Sequence, residues 1–253
     1  MARNPVQHVP SRQNLRNTLG LAREFGFMEF NTIDTVEWWD DFIGDTLHGG
    51  YVDKTNGTGV NALAISTTGI SGEATIKNGT DNDGYAGFGQ CLEWYGQLNC
   101  AIAVRAKIDD IAAVKMEIGF TDAVDDAGAV NDLDGATFTA TDCAVWAFDT
   151  DDSTANWKLA STPDNGTTDT VTDTGIAPVN DTYETLIVAL EDTAAHFYRL
   201  DSNGYQTYKA SHTTGPSKDA PLSPWVFTQT REGSDEKTMT LDFIKVWQRR
   251  TVS

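Results

Sequence analysis

The chain has 253 residues, 37 of them acidic and 18 basic, which gives a net charge of −19 and a pI near 4.3. A surface of that charge repels nucleic-acid phosphates and anionic membranes, so we expect the body of the protein to bind neither. A single all-β domain of this length would bury roughly three quarters of its unfolded surface, so it needs no disulfide scaffold.

The first 30 residues differ from the rest of the chain, because they carry four arginines, only two acids and two prolines. One weak helical signal is present, in which Ser11 would cap a short turn. Such a piece does not hold itself together in water. We interpret residues 1–30 as an extended basic arm that orders on a partner protein, with a disordered tail as the alternative, and residues 31–253 as one domain. The predicted partner contacts are Arg3, Arg12, Leu15, Arg16, Leu19 and Arg23.

The remainder of the chain has the pattern of an all-β protein. Short runs rich in β-branched and aromatic residues alternate with Gly, Asn and Asp, and no long segment of period 3.6 predicts a crossover helix. The predicted strands are residues 35–42, 60–66, 89–95, 100–108, 113–120, 143–149, 156–161, 183–190, 195–200, 204–210, 224–230 and 238–248.

Two of these predictions have specific support. Asn203-Gly204 joins two alternating runs and is a strong hairpin signal. In the last strand the apolar parity changes between Phe243 and Ile244, which predicts a strand that is covered on both faces or contains a bulge.

The cysteines predict neither a zinc site nor a redox motif. Cys91, Cys100 and Cys143 are odd in number and have no C-x-x-C spacing. We predict buried free thiols, with a Cys91–Cys100 bond across a hairpin as the alternative. No nucleophile elbow, Walker loop or H-E-x-x-H motif is present, and no stretch predicts a signal peptide or a membrane span. We therefore expect a protein made in the cytoplasm.

Three segments resemble the concanavalin A-like lectin/glucanase superfamily, which includes laminin-G-like and laminarinase-like sandwiches. They are WWDDFIGDTLHGGY (38–51), FYRLDSNGYQTY (197–208) and LDFIKVWQRR (241–250), and together they bracket most of the body. The resemblance implies an all-β, two-sheet antiparallel jelly-roll sandwich, here preceded by the arm.

A fourth segment, VKMEIGFTDA (114–123), is similar to the Glu-x-Asp-x-x-Glu strand of laminarinase-type glycosidases. The resemblance places Glu117 at the nucleophile, Gly119 where the modulating Asp should stand, and Asp122 at the acid. Retaining hydrolysis needs two carboxyl groups about 5 Å apart. Strand alternation points Asp122 away from the face of Glu117, so we expect no enzyme and interpret Glu117 as a solvated polar-face residue. A glycoside hydrolase that uses Glu117 and Asp122 is the least favoured alternative.

Asp149, Asp151 and Asp152 lie in one acidic loop. Alternate Asp residues supply some of the oxygens that calcium requires, but no complete calcium loop is present. We interpret the run as a solubilising turn and expect no cofactor, with calcium at these three residues as the alternative.

Jelly rolls of this class are used by tailed bacteriophages, and the resemblance, the basic arm and the incomplete acid set together predict a virion structural protein. We expect a non-enzymatic capsid decoration, or cement, protein on the outer capsid surface, assembled in the cytoplasm of the bacterial host. Its partners would be the major capsid protein and further copies of itself, most simply in a trimer. The alternative is a carbohydrate-binding adhesion module in which Trp38, Trp39 and Glu117 contact a host-surface glycan, since one of two adjacent tryptophans must point away from the core.

Overall fold

A computed structural model describes residues 35–251, except for residues 45, 67–71, 125–126, 165–167 and 233–234. The predicted arm and its contacts, Arg3, Arg12, Leu15, Arg16, Leu19 and Arg23, lie outside the described residues. Within the described part, no helix has the length and apolar character required to cross a membrane.

The described residues form 17 strands and one 3-10 turn, Gly96–Leu98. The strands are β1 (Thr35–Asp40), β2 (Val52–Asn56), β3 (Asn61–Ile65), β4 (Ala74–Lys77), β5 (Tyr85–Gly89), β6 (Ala101–Ile108), β7 (Val114–Thr121), β8 (Val130–Asp132), β9 (Thr137–Phe138), β10 (Cys143–Asp149), β11 (Lys158–Thr162), β12 (Thr170–Asp173), β13 (Glu184–Glu191), β14 (Ala194–Leu200), β15 (Gln206–His212), β16 (Ser223–Thr230) and β17 (Thr238–Arg249).

These strands build two antiparallel sheets and one separate hairpin. The order β15-β14-β13-β6-β17-β4-β3 runs across an eight-stranded sheet, in which β1 also pairs with β17. The order β12-β11-β10-β7-β16-β5-β2 forms a seven-stranded sheet, and β8 pairs with β9. The two sheets pack face to face, so the predicted all-β antiparallel sandwich is confirmed.

The main core lies between the sheets. Met116, Ile118 and Phe120 of β7 point into it together with Trp146 of β10, because alternate residues of a strand share one face. The indole nitrogen of Trp146 donates a hydrogen bond of 3.1 Å to the carbonyl of Ile187 in the opposite sheet. A buried aromatic side chain therefore also links the two layers.

Of the predicted strand 89–95, only Gly89 lies in a strand, as the last residue of β5, and residues 90–95 form an irregular segment that leads to the 3-10 turn. The sequence of β5, YAGFG, has low strand propensity because of its glycines. A Cβ added at Gly87 would lie 3.0 Å from Cδ2 of Phe227 on the neighbouring strand. Glycine is used here to make room for an aromatic ring, a requirement that depends on a residue far away in the chain.

The two specifically supported strand predictions are confirmed. β14 and β15 pair across the turn that contains Asn203 and Gly204. A register shift between Leu241 and Phe243 marks the predicted bulge in β17.

All three cysteines are free. Cys100 and Cys143 are buried as predicted, whereas the prediction is wrong for the exposed Cys91. Cys91 follows β5 of one sheet and Cys100 precedes β6 of the other, so the two do not face each other across a hairpin.

Candidate functional site

The strand with the glycosidase-like sequence, β7, lies in the middle of the seven-stranded sheet between β10 and β16. Its alternate residues Lys115, Glu117 and Gly119 point to the outer face, which is the side turned away from the eight-stranded sheet. A groove of the kind that the glycosidase-like pattern predicts would therefore lie on this outer face.

The described residues of 122–142, which are 122–124 and 127–142 and are here named the covering loop, lie over that face. They contain the β8–β9 hairpin, and their side chains Val130, Leu133 and Phe138 pack on Val145 and Ala147 of β10. Because the sheet offers small apolar side chains here, the hairpin lies against it and excludes water. The described part of this face therefore has a packed second core where a substrate groove would be.

Glu117 is fixed by this loop and is 0% exposed. Its Oε2 accepts hydrogen bonds from the backbone amide of Ala129 at 2.6 Å and from the indole nitrogen of Trp225 at 3.1 Å. Its Oε1 accepts one from the amide of Val130 at 3.1 Å and lies 3.1 Å from Nζ of Lys115. The prediction that Glu117 is a solvated residue is wrong, because the covering loop supplies donors to both of its oxygens.

Lys115 completes the contact between strand and loop. The side chain is 2% exposed, its ammonium group donates to the carbonyl of Val130, and it lies 5.8 Å from the centre of the Phe227 ring. Lys115 and Glu117 together hold the backbone at Val130 through both its amide and its carbonyl. The sequence could have placed Lys115 beside Glu117, since residues i and i+2 of a strand share a face. No local pattern indicated that Trp225 would contact Glu117.

Gly119 and Asp122 complete the departure from the glycosidase pattern. A Cβ at Gly119 would collide with the carbonyl oxygen of Ala144 in β10, so the position of the modulating Asp cannot hold a side chain in this geometry. Asp122 accepts hydrogen bonds of 3.0 and 3.1 Å from the amides of Thr141 and Asp142, and burial raises its pKa. In the described structure, Glu117 and Asp122 therefore accept hydrogen bonds from different backbone segments of the covering loop.

The predicted sugar contacts are not brought together. Trp38 and Trp39 lie on β1, which belongs to the eight-stranded sheet, whereas Glu117 is buried in the other sheet. Trp38 turns inward and packs edge-on against Tyr51, with ring centres 5.1 Å apart, whereas Trp39 is 56% exposed. The expectation that one of the two tryptophans points away from the core is confirmed.

The acids considered for calcium have protein cations as partners. Asp149 forms a two-pronged ion pair with Arg231, and Asp151 lies 3.6 Å from the same guanidinium. Asp152 lies 3.2 Å from Nζ of Lys158, and burial raises its pKa to about 6 despite that neighbour. Among the described residues, no group of three or more His, Cys, Asp or Glu side chains could hold a metal ion.

An open cleft of about 490 Å³ lies beside the covering loop, at the edge formed by β11 and β12. Asp134, Lys158, Thr170 and Asp173 are among its lining residues. The hydrogen bond from Lys158 lowers the pKa of Asp134 to about 2, and Asp173 accepts from Thr154 and Asn156. Both carboxylates of Asp134 and Asp173 therefore accept hydrogen bonds from protein donors.

Comparisons with known proteins address the fold. No protein-family model matches the sequence, and no curated protein sequence matches it. A protein of unknown function from Shewanella oneidensis MR-1 is similar in structure, with a TM-score of 0.61 and 15% identity over 99% of this chain and 98% of that one. The winged bean acidic lectin, solved in complex with methyl-α-D-galactose, has a TM-score of 0.57 and 9% identity, covering 86% of this chain and 100% of the lectin.

A module from a phage is also similar. It is the CBM2 module of the evolved Dit protein of Lactobacillus casei BL23 phage J-1, with a TM-score of 0.58 and 10% identity over 86% of this chain and 97% of the module. The fold is a concanavalin A-like sandwich. At these identities the likeness establishes the two-sheet architecture alone.

Proposed function

We propose that this chain is a non-catalytic structural protein of a bacteriophage virion, which decorates the outside of the capsid by docking on the major capsid protein. The observation that carries the non-catalytic part is the closed outer face of the seven-stranded sheet. Glu117 has no oxygen free to attack a sugar, because both are held by the covering loop and by Lys115 and Trp225.

The sequence supports attachment through the arm. Residues 1–30, the predicted arm, carry Arg3, Arg12, Arg16 and Arg23 ahead of a strongly acidic body. Stable protein interfaces bury about 800 Å² on each partner, and an arm of this length can supply such an area when it lies on a second protein. The acidic body would stay on the outside, away from packaged DNA. Association of three copies would strengthen binding by avidity.

The test is attachment to capsids that lack this protein. Deletion of residues 1–25 should leave the circular dichroism spectrum of the folded domain in place and abolish co-sedimentation with capsids. A full-length variant with the four arginines changed to Gln should bind at least tenfold more weakly, and the matched Arg-to-Lys variant should retain most of the binding. Full attachment of the deletion variant would refute the role of the arm.

A second candidate function is carbohydrate binding, favoured by the exposed Trp39 on a lectin-like fold. An exposed indole provides a flat apolar platform of the kind on which sugar rings stack. In this alternative, binding to a bacterial surface polysaccharide should be lost in Trp39→Ala. It should persist in Tyr205→Ala, which removes an exposed aromatic from the turn between β14 and β15. If the wild type binds no glycan on an array of bacterial polysaccharides, this alternative is rejected.

A further inference from the structure

The seven-stranded sheet ends at β12, and no described strand lies beside the outer edge of β12. It is last in the sheet order, and among the described strands only β11 pairs with it. Its sequence, TVTD, contains neither proline nor lysine, two residues with which proteins commonly protect an edge strand. By contrast, β2 at the opposite edge of the sheet carries Lys54. The edge of β12 is therefore open to pairing with a further strand.

The pairing of β12 with β11 indicates which of its backbone groups point outward. The amide of Thr174, just after β12, donates a hydrogen bond of 3.1 Å to the carbonyl of Trp157, just before β11. In an antiparallel ladder, residues that bond to the neighbouring strand alternate with residues whose N–H and C=O groups point the other way. Every second residue before Thr174 therefore bonds to β11, and the amides and carbonyls of Val171 and Asp173 face outward.

Polar contacts to the far edge of the other sheet hold β12 in place. Oγ1 of Thr172 lies 3.1 Å from Nε2 of His212, and Oγ1 of Thr170 lies 3.0 Å from Oγ1 of Thr214. Both contacts use the face of β12 that turns towards the eight-stranded sheet. Since a strand that is already fixed loses little conformational entropy on binding, this edge is preorganised to pair with another strand.

The open cleft of about 490 Å³ lies beside this edge. Val171 and Asp173 line it from β12, whereas Lys158 lines it from β11 and Asp134 from the covering loop. Its volume falls within the range of about 300–1,000 Å³ that is typical of ligand clefts. Because alternate residues of a strand share one face, a segment paired with β12 would place every second side chain at the cleft.

The charge of the cleft selects the chemistry of that segment. The carboxylates of Asp134, Asp169 and Asp173 line it, against the one ammonium group of Lys158. A segment with lysine or arginine at alternate positions complements this excess of negative charge. A second copy of β12 does not, because like charges that face each other across a strand pair are destabilising.

The N-terminal arm of another copy also lacks the required pattern. Its basic residues, Arg3, Arg12, Arg16 and Arg23, are never two positions apart. Residues at i and i+2 are the ones that share a face of an extended strand. The occupant that fits the cleft is therefore a basic segment of a different protein.

We infer that β12 accepts an extended basic segment of a partner protein, which adds a strand to the seven-stranded sheet and places its lysine or arginine side chains in the cleft. Main-chain hydrogen bonds to Val171 and Asp173 supply affinity, and the carboxylates supply specificity for charge. The identity of the partner as the capsid protein rests on the proposed function, whereas the site itself does not.

The test uses synthetic peptides and the purified full-length protein. A fluorescent peptide of alternating Lys and Thr is compared with one of alternating Glu and Thr, and with a Lys/Thr peptide that is N-methylated at alternate amides. The unmodified Lys/Thr peptide should bind at least about tenfold more tightly than either, because only this peptide offers both the charge and the main-chain donors. Hydrogen exchange at the amides of Val171 and Asp173 should slow in the complex. Equal binding of the three peptides, no binding, or protection only at other strands would overturn the inference.

Val171→Pro separates strand pairing from general attraction to an acidic surface. Proline removes an outward-facing amide and leaves the hydrogen bonds to β11 in place, so an edge strand tolerates it. Binding of the Lys/Thr peptide should weaken by at least about tenfold in Val171→Pro and stay within about twofold in the matched control Val171→Thr, which keeps the amide. Equal affinities of the two variants would contradict a paired strand. If Val171→Pro does not fold, the N-methylated peptide decides the same point.

Attachment to capsids is measured separately, so that the two proposals can fail independently. If the peptides do not bind but the wild type attaches to capsids, this inference is wrong and the proposed function stands. If the Lys/Thr peptide binds as expected but Val171→Pro attaches to capsids as well as Val171→Thr, the site is confirmed and the capsid protein is excluded as its partner.

Discussion

Replacement of Glu117 tests whether the covering loop is held by a buried ion pair. Glu117→Ala would leave the ammonium group of Lys115, which is 2% exposed, without its carboxylate. The amides of Ala129 and Val130 and the indole of Trp225 would lose their acceptor. Removal of one partner of a buried pair costs about 3–5 kcal/mol, and unsatisfied buried donors cost about 1–3 kcal/mol each, although the contributions do not add fully.

We therefore expect Glu117→Ala to lower the free energy of unfolding by about 4–6 kcal/mol, a large part of the total for a domain. Glu117→Gln keeps the shape and one acceptor oxygen, so its loss should be about 2–3 kcal/mol. In Lys115→Met/Glu117→Gln both charges are gone, and the loss should be smaller than the sum of the two single losses.

The assay is urea unfolding followed by tryptophan fluorescence, with limited proteolysis of the covering loop as a local readout. The control is Glu37→Ala, which breaks a partly exposed pair with Lys245 at 3.1 Å and should cost less than about 1 kcal/mol. If Glu117→Ala unfolds within 1 kcal/mol of the control, the carboxylate does not hold the loop and the reasoning fails. Hydrolysis of β-glucan by the wild type, lost in Glu117→Gln, would refute the assignment of this face as closed.

Three further predictions concern backbone strain and pH. Gly128→Ala places a Cβ 2.7 Å from Oε1 of Glu117 at a φ of +98°, so it should lower the free energy of unfolding in urea by about 2–3 kcal/mol. The control is Gly175→Ala, which has a positive φ of +69° but no neighbour within 4 Å and should cost about 1 kcal/mol. Equal losses for the two variants would contradict the steric argument. Burial lowers the pKa of His212 from 6.5 to about 4, so the folded state resists protonation and the free energy of unfolding should fall as the pH drops from 6.5 towards 4. This loss should be smaller in His212→Gln. Identical pH profiles of stability for the variant and the wild type would refute the prediction. Burial raises the pKa of Asp152 from 3.8 to about 6, so the folded state takes up a proton more readily than the unfolded state, and Asp152 adds stability as the pH drops from 6 towards 4. Without this contribution, the stability of Asp152→Asn should decline more steeply with falling pH than that of the wild type. A shallower decline for the variant would contradict this prediction.

The physical reason for the successful strand predictions is local. In β10, Ala144, Trp146 and Phe148 face the main core while Val145 and Ala147 face the covering loop, so the strand is apolar on both sides and its type is evident from composition. The hairpin at Asn203-Gly204 was equally predictable, because the turn conformation is a property of those two residues.

The failures share a different reason. The strand at Tyr85–Gly89 escaped prediction because its glycines lie against close neighbours on β16. A Cβ at Gly87 would lie 3.0 Å from the Phe227 ring, and one at Gly89 would lie 2.7 Å from Oγ of Ser223. The pattern around Glu117 correctly indicated an incomplete catalytic set, but it implied a solvated carboxylate. Whether that carboxylate meets water or the amides of Ala129 and Val130 depends on how the following loop folds back.

The sequence by itself determined the fold class, the two faces of each long strand, the acidic body and the absence of a complete glycosidase motif, because these depend on composition and on side-chain alternation over a few residues. Only the tertiary structure decided that the outer face of the seven-stranded sheet is closed, that Glu117 is buried in an ion pair with Lys115, and that the acids near Asp149 pair with Arg231 and Lys158. Burial and charge pairing arise from contacts between segments distant in the chain, and no local pattern encodes which segments will meet.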